Sequence, residues 1–187
     1  MESVYIKQIL GGDLSKFTYF VEQYKHMAYT IAFRIVNNKE DAKDVVQDSF
    51  IRAYNSLSKF RNDSKFSTWF YKIVVNNSLT KIKRDSLESV NIDSDQVHSL
   101  VIEDVESVYK SLTQSDQRKY IDLALGEVSM EDRLLLTLFY LNDNSAEEIT
   151  EITGIPQRNL KMKIHRARKK MYTILESRLN FEIQNLL

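Results

Sequence analysis

The amino-acid sequence predicts an all-α protein of two small helical domains joined by an acidic linker, with a helix-turn-helix in the C-terminal domain. Three observations lead there. Gly and Pro are scarce, four and one in 187 residues, and few stretches alternate apolar with polar residues, so strands and hairpins have almost no punctuation. Apolar residues recur instead three and four apart, the period at which one face of a helix is buried. Charge is segregated along the chain. Lys81, Lys83, Arg84 and the run from Arg158 to Lys170 are basic, whereas no Lys or Arg occurs from Ser86 through Tyr109.

A chain of this length makes one medium domain or two small ones, each with a modest core. The absence of cysteine excludes disulfides and thiolate metal sites. No apolar run is long enough to span a membrane or act as a signal peptide, so a cytoplasmic protein without membrane insertion is the default. The formal net charge of +0 is uninformative, because opposite charges sit in different segments.

The first strong helix is expected from about Asp13 into the mid-thirties, where Leu14, Phe17, Val21, Tyr24, Ala28, Ile31 and Ile35 form one apolar face. Asn38 with Asp41 caps a second helix, which buries Ala42, Val45, Val46, Phe50, Ala53 and Leu57. Its opposite side exposes Asp41, Asp44, Gln47, Asp48 and Arg52. After a polar loop from Phe60 to Ser64, a third helix carries Phe66, Trp69, Phe70, Ile73 and Val74 and ends among Lys81, Lys83 and Arg84. These helices make an N-terminal domain, residues 1–86. Residues 87–112 are acidic, with apolar positions in no firm period, and read as the linker. The C-terminal domain, 113–187, opens with a helix through Leu125 and another through the apolar run Leu134 to Leu141.

Its last part, SAEEITEITGIPQRNLKMKIHRARKK, is the most informative stretch. Ser145 with Glu148 makes a capping box, in which hydroxyl and carboxylate each satisfy a backbone N–H at a helix start. Gly154 suits the left-handed residue that ends this helix, and Pro156 the first turn of the next. Leu160, Ile164, Ala167, Met171 and Ile174 or Leu175 keep helical register on one side. The other side carries Arg158, Met162, His165, Arg166 and Lys169, flanked by Lys161, Lys163, Arg168 and Lys170, with no acid between Gln157 and Lys170. A basic helix standing alone is most simply a solvated face. Here cap, turn glycine and apolar register agree, and the surface suits DNA phosphates and guanine edges.

The stretch FRNDSKFSTWFYKIVVNNSLTKIKR, Phe60 to Arg84, sets aromatics beside positive charge. That combination suits unpaired nucleic acid, whose bases stack on rings while cations hold the backbone. Trp69 and Phe70 taken singly read more simply as core.

With these residues the chain resembles the bacterial RNA polymerase sigma factors of the extracytoplasmic-function class over nearly its whole length. DAKDVVQDSFIRAY, Asp41 to Tyr54, is similar to that family's core-polymerase-binding helix. FRNDSKFSTWFYKIVVNN is similar to its promoter-melting and −10-reading segment, and Met130 to Met171 to its −35-reading domain. The resemblance implies a transcription initiation factor that binds core polymerase, reads −35 duplex and melts and captures −10 bases. Its partners would be core polymerase, promoter DNA and a separate anti-sigma protein, with no cofactor, metal or catalytic residue.

Carried over residue by residue, Asp44, Gln47 and Asp48 match the positions that dock on the polymerase clamp. Phe60, Arg61, Asn62, Asp63, Ser64, Ile73 and Asn76 match a pocket for a base flipped from the −10 element, and Trp69 the aromatic of the melting segment. Extruding a base costs a few kcal/mol, so capturing it both selects sequence and opens the duplex. Arg158, Asn159, Lys161, Met162, His165, Arg166 and Lys169 fall where the −35 contacts lie. Three departures stand out. Asn62 replaces a frequent Gly and can still take a turn conformation; Thr80 replaces a frequent Asp. Met162 replaces a small residue, and its base contact would be apolar, as with a thymine methyl.

Two rival readings follow from the same residues. A stand-alone helix-turn-helix regulator with an N-terminal dimerisation or sensing domain would bind palindromic duplex without polymerase; the −10-like segment argues against it. A hydrolase using Asp41, Asp44 and Asp48 lacks a second cluster at metal-ligand spacing, and His26, His98 and His165 are isolated.

Overall fold

A short helix opens the chain, α1 (Glu2–Leu10), and buries Ile6 and Ile9. It has no side-chain cap and is held from outside, since the Tyr24 hydroxyl donates to the Glu2 carboxylate. This helix was not anticipated from the sequence. The structure, a computed structural model, describes residues 1–88 and 114–186, with side chains described at 1–87 and 120–177.

The long helix expected from Asp13 divides into a 3-10 turn at Leu14–Lys16, capped by Asp13, and α2 (Phe17–Val36). Asn37 ends α2 with φ 55°, a left-handed conformation that Asn tolerates better than most residues. Asn38 then caps α3 (Lys39–Ser56), accepting from the backbone N–H of Glu40 at 2.9 Å and of Asp41 at 3.2 Å. After a second 3-10 turn, α4 runs over Phe66–Glu88. Helices α2, α3 and α4 pack pairwise around Phe20, Ile31, Phe50, Phe66, Phe70 and Val74. Rings interlock there, with centroids 4.3 Å apart for Phe20 and Phe66 and 4.5 Å for Phe50 and Phe70.

The C-terminal unit comprises α5 (Gln114–Glu127), α6 (Met130–Tyr140), α7 (Ala146–Thr153) and α8 (Gln157–Leu186). Ser129 caps α6 by accepting from the Asp132 N–H at 3.2 Å. Leu125, Val128, Leu136 and Ala167 form a small core of this unit. All regular elements among the described residues are helical, as the sequence predicts.

The two units are docked on each other. Helix α7 lies against α4, and α6 against α2. Leu134, Leu135, Leu138, Ile149, Ile152 and Leu160 thereby continue the N-terminal core as one apolar cluster. Helix α4 extends two residues past the predicted boundary at 86; the predicted linker lies outside the described residues from 89 to 112.

Candidate functional site

Three surfaces carry the predicted residues. On α3, Asp44, Gln47 and Asp48 share one exposed face, as spacings of three and four require. They border a polar groove of about 350 Å³ completed by Arg52, Asn77, Thr80, Lys81 and Arg84. Its floor is fixed by buried hydrogen bonds: the Ser49 hydroxyl donates to the Val45 carbonyl at 2.6 Å and accepts from the Asn77 amide at 2.9 Å. At one end Lys81 bridges Asp41 at 2.8 Å and Asp85 at 3.2 Å, and its hydrogen bond to Asp41 raises the ammonium pKa above the ordinary value. A groove with such fixed walls presents its free carboxylates and Gln47 to a partner without rearrangement.

The second surface is the loop before α4. Asn62 has φ 58°, so the expected turn survives where a glycine would ordinarily serve. Arg61, Asn62 and Asp63 are exposed, while Phe60 and Ser64 are half-buried. Phe60 packs against Trp69 at a tilt, with centroids 5.1 Å apart, and the Phe66 centroid lies 5.5 Å from that of Trp69. Trp69, Ile73 and Asn76 recur on one side of α4; Trp69 and Ile73 are half-buried against the core and Asn76 is exposed. Phe70 is fully buried, as its aromatic spacing suggested. Ring edges, a loop with polar groups and an amide are thus gathered at one end of α4, a set suited to a base taken out of its stack.

The third surface is the helix-turn-helix. Ser145 and Glu148 form the full capping box, with the Ser145 N–H donating at 2.8 Å and the Glu148 N–H at 3.2 Å. Gly154 ends α7 at φ 74°. On α8, Leu160 and Ala167 are buried and Ile164, Met171 and Ile174 are half-buried, so the predicted apolar register holds. Arg158, Asn159, Lys161, Met162, His165, Arg166 and Lys169 are all exposed. The flanking lysines behave differently from the sequence picture. Lys163 pairs with Glu131, and Lys170 with Asp132 at 2.6 Å, so α6 neutralises the inner edge of the basic helix. Arg158, Lys161, Arg166, Arg168 and Lys169 have no ion-pair partner among the described residues. Charge on α8 is therefore sorted, with the unpaired cations on the outward face.

Two features escaped the sequence reading. Phe139, Tyr140 and Leu141 are exposed at the end of α6, and the two aromatics line a groove of about 490 Å³ with Leu160, Ile164, His165 and Arg168. The apolar run Leu134 to Leu141 spans about two turns, so its residues cannot all be buried by two neighbouring cores, and that length was the signal available. The other is a set of polar contacts between the units. The Ser64 hydroxyl donates to Glu151 at 3.0 Å, and Lys65 pairs with Glu148 at 2.8 Å. Burial alone would raise the Glu148 pKa; the Lys65 ammonium and the capping N–H outweigh it and hold the carboxyl below its ordinary range. Lys65 is raised in turn by its hydrogen bond to Glu148. No helix among the described residues is long and apolar enough to cross a membrane.

Comparison with known proteins places the same two halves together. Residues 20–87 match the family described as Sigma-70 region 2, and residues 118–171 match Sigma-70, region 4. The ECF RNA polymerase sigma factor SigW of Bacillus subtilis is 30% identical over 172 residues, covering 89% of this chain and 92% of that protein. The ECF RNA polymerase sigma-E factor of Escherichia coli K12 is 27% identical over 174 residues, 90% of this chain and 91% of that protein. Among solved structures, CnrH in complex with the cytosolic domain of CnrY aligns at a TM-score of 0.65 and 20% identity, over 93% of this chain and 96% of that one. RpoE of Bartonella quintana, in complex with the anti-sigma factor NepR, aligns at 0.63 and 22% identity, over 84% of this chain and 96% of that one. These two likenesses establish the fold.

Proposed function

The chain belongs to the extracytoplasmic-function class of RNA polymerase sigma factors, and from that membership we propose how its surfaces divide the work. The protein is a transcription initiation factor, not an enzyme, that binds core RNA polymerase and directs it to specific promoters. Residues 1–86 dock on polymerase and handle the −10 element, 87–112 connect, and 113–187 read the −35 duplex. Asp44, Gln47 and Asp48 dock on the polymerase clamp. Phe60, Arg61, Asn62, Asp63, Ser64, Trp69, Ile73 and Asn76 melt the duplex and capture a −10 base. Arg158, Asn159, Lys161, Met162, His165, Arg166 and Lys169 enter or flank the −35 groove. A separate anti-sigma protein holds the factor in the cytoplasm until its signal arrives.

The observation that carries this division is the sorting of charge on α8, where the inner lysines pair with α6 and the outer cations have no ion-pair partner among the described residues. A merely solvated helix has no need of that asymmetry, whereas a groove-binding helix needs cations directed at phosphates and base edges. The test is in vitro transcription with core bacterial RNA polymerase on a promoter library. Specific transcripts that depend on this protein are expected, with losses at −35 for the α8 variants and at −10 for the loop variants. Palindromic footprints without polymerase, and no initiation with it, would favour a stand-alone regulator.

A further inference from the structure

The chain has five methionines, and their thioethers meet different surroundings. Met27 and Met130 pack against the large apolar cluster, and Met171 against the small core of the C-terminal unit. Met162 packs against neither. It lies 53% exposed on the outward face of α8, and apart from the N-terminal Met1 it is the most exposed thioether of the chain.

An oxidant must reach the sulfur to attack it, so the half-buried methionines are shielded and Met162 is open. Its neighbours decide what attack would do. Arg158 stands one turn before it and Arg166 one turn after, with Asn159 and His165 three residues to either side, all four exposed. Side chains at these spacings adjoin on a helix surface, with about 5–6 Å between Cβ atoms. Neither guanidinium has an ion-pair partner among the described residues. A thioether is only a weak acceptor, so the reduced side chain leaves both of them free for phosphates and base edges.

We propose that Met162 is an oxidation site on the DNA-reading face, whose conversion to the sulfoxide weakens −35 recognition and whose reduction restores it. The inference rests on the assignment of Arg158 to Lys169 as the −35 surface. In the step itself a sulfur lone pair attacks one oxygen of hydrogen peroxide. An S–O bond forms, the O–O bond breaks, and the departing hydroxide takes the proton of the transferred oxygen, giving sulfoxide and water. Sulfur loses two electrons and the peroxide gains them.

Two losses follow. The polar sulfoxide no longer offers an apolar surface to a thymine methyl. Its oxygen is also a strong acceptor one turn from each of two unpaired guanidiniums, and a guanidinium that donates to it through a charge-assisted bond is withdrawn from DNA. The fold is untouched, because Met162 supports neither core. Methionine sulfoxide reductases, one for each sulfoxide epimer, return the thioether.

The full-length chain suits the test, since it has no cysteine to compete for peroxide. The chain is treated with hydrogen peroxide, the excess is destroyed with catalase, and holoenzyme is assembled with untreated core polymerase. The probe is a promoter duplex selected from a random-sequence pool by holoenzyme carrying the untreated chain. Wild type and Met162→Leu are each compared with themselves before and after peroxide. Leu keeps an apolar side chain of similar volume without the sulfur.

Mass spectrometry is expected to find oxygen on Met162 ahead of Met27, Met130 and Met171. Promoter affinity of the wild-type holoenzyme then falls about tenfold, within the range that one good base contact contributes. The affinity of Met162→Leu is unmoved by peroxide, and reductases A and B together recover that of the wild type. The thermal unfolding temperature of the oxidised chain stays where it was. Oxidation of a half-buried methionine first, undiminished binding by the oxidised wild type, or an equal loss in Met162→Leu each overturns the proposal. So does a lowered unfolding temperature, which would trace the loss to the fold. The −35 reading is judged separately: promoter bound to holoenzyme before peroxide is added should shield Met162. Equal oxidation with and without promoter would remove α8 from the DNA, whatever oxidation does to affinity.

Discussion

The side-chain amide of Asn77 on α4 donates to the hydroxyl of Ser49 on α3 across 2.9 Å, with both residues buried. This bond sits beneath the groove that presents Asp44, Gln47 and Asp48, so it couples the bundle's packing to the geometry of the proposed docking face. Asn77→Ala is expected to destabilise the protein by about 1–2 kcal/mol, the usual result of losing one partner of a buried pair. Urea unfolding measures it. Gln47→Ala should leave that stability unchanged and lower affinity for core polymerase, without altering DNA binding by the protein alone. Normal holoenzyme assembly by Gln47→Ala would remove the docking face from α3.

Gly154 offers a cleaner separation of backbone from packing. A Cβ added there meets nothing within 4 Å, yet φ is +74°. Gly154→Ala therefore carries only the left-handed backbone cost, about 1 kcal/mol. A loss of thermal stability of that size is expected, with −35 affinity following only through α7 and its turn. A much larger loss would mean that the turn between α7 and α8 rearranges.

On the exposed face of α8, Arg158→Ala and Arg166→Ala are each expected to weaken binding to −35 duplex by about 1–3 kcal/mol if they address base edges. Competition with scrambled duplex separates the roles. A loss confined to the specific sequence identifies a base contact, and an equal loss on both identifies a phosphate contact with a shallower salt dependence. Met162, 53% exposed, is expected to favour a thymine methyl, so Met162→Ala should relax the preference at one base pair.

Much of this was legible in the sequence because the signals are local. The capping box at Ser145, the left-handed Gly154 and the apolar register from Leu160 depend on neighbours within a few residues. Asn62 was readable in the same way, since Asn is among the few residues that hold φ 58° without glycine. What escaped was set by distant partners. Helix α1 has only Ile6 and Ile9 to bury and is tied by Glu2 to Tyr24, so its own periodicity is weak. Lys163 and Lys170 looked unneutralised, yet their acids Glu131 and Asp132 lie more than thirty residues away in sequence. The contacts of Ser64 and Lys65 with α7 span longer separations still. Two amphipathic units were visible, but the faces they present to each other were not.

The Lys65 contact with Glu148 is expected to respond to acid. The folded Glu148 pKa lies below the ordinary 4.5, so its contribution is fully present above about pH 4.5 and is lost as pH falls through the lower folded value. Glu147 is depressed too, chiefly by its own backbone N–H and then by Ser145 and Gln157, and acts in the same direction on the start of α7. Protection of the α7 amides, measured relative to their intrinsic exchange rate at each pH, should therefore fall below that pH. Glu148→Gln should remove part of the dependence, leaving the Glu147 share.

The pair Arg34 and Asp122 and the neighbouring Arg133 make the sharpest contrast in stability. Asp122→Ala deletes the carboxylate paired with the buried Arg34 guanidinium. Breaking a buried pair from one side costs about 3–5 kcal/mol, and the 29% exposure of the Asp122 side chain reduces the expected loss to roughly 2 kcal/mol. Arg133→Met acts oppositely: it removes a charge that burial and Arg34 both disfavour, together with a donor that finds no acceptor. That variant should melt at or above the wild-type temperature. A destabilised Arg133→Met protein would show instead that the guanidinium contributes through the packing of its stem.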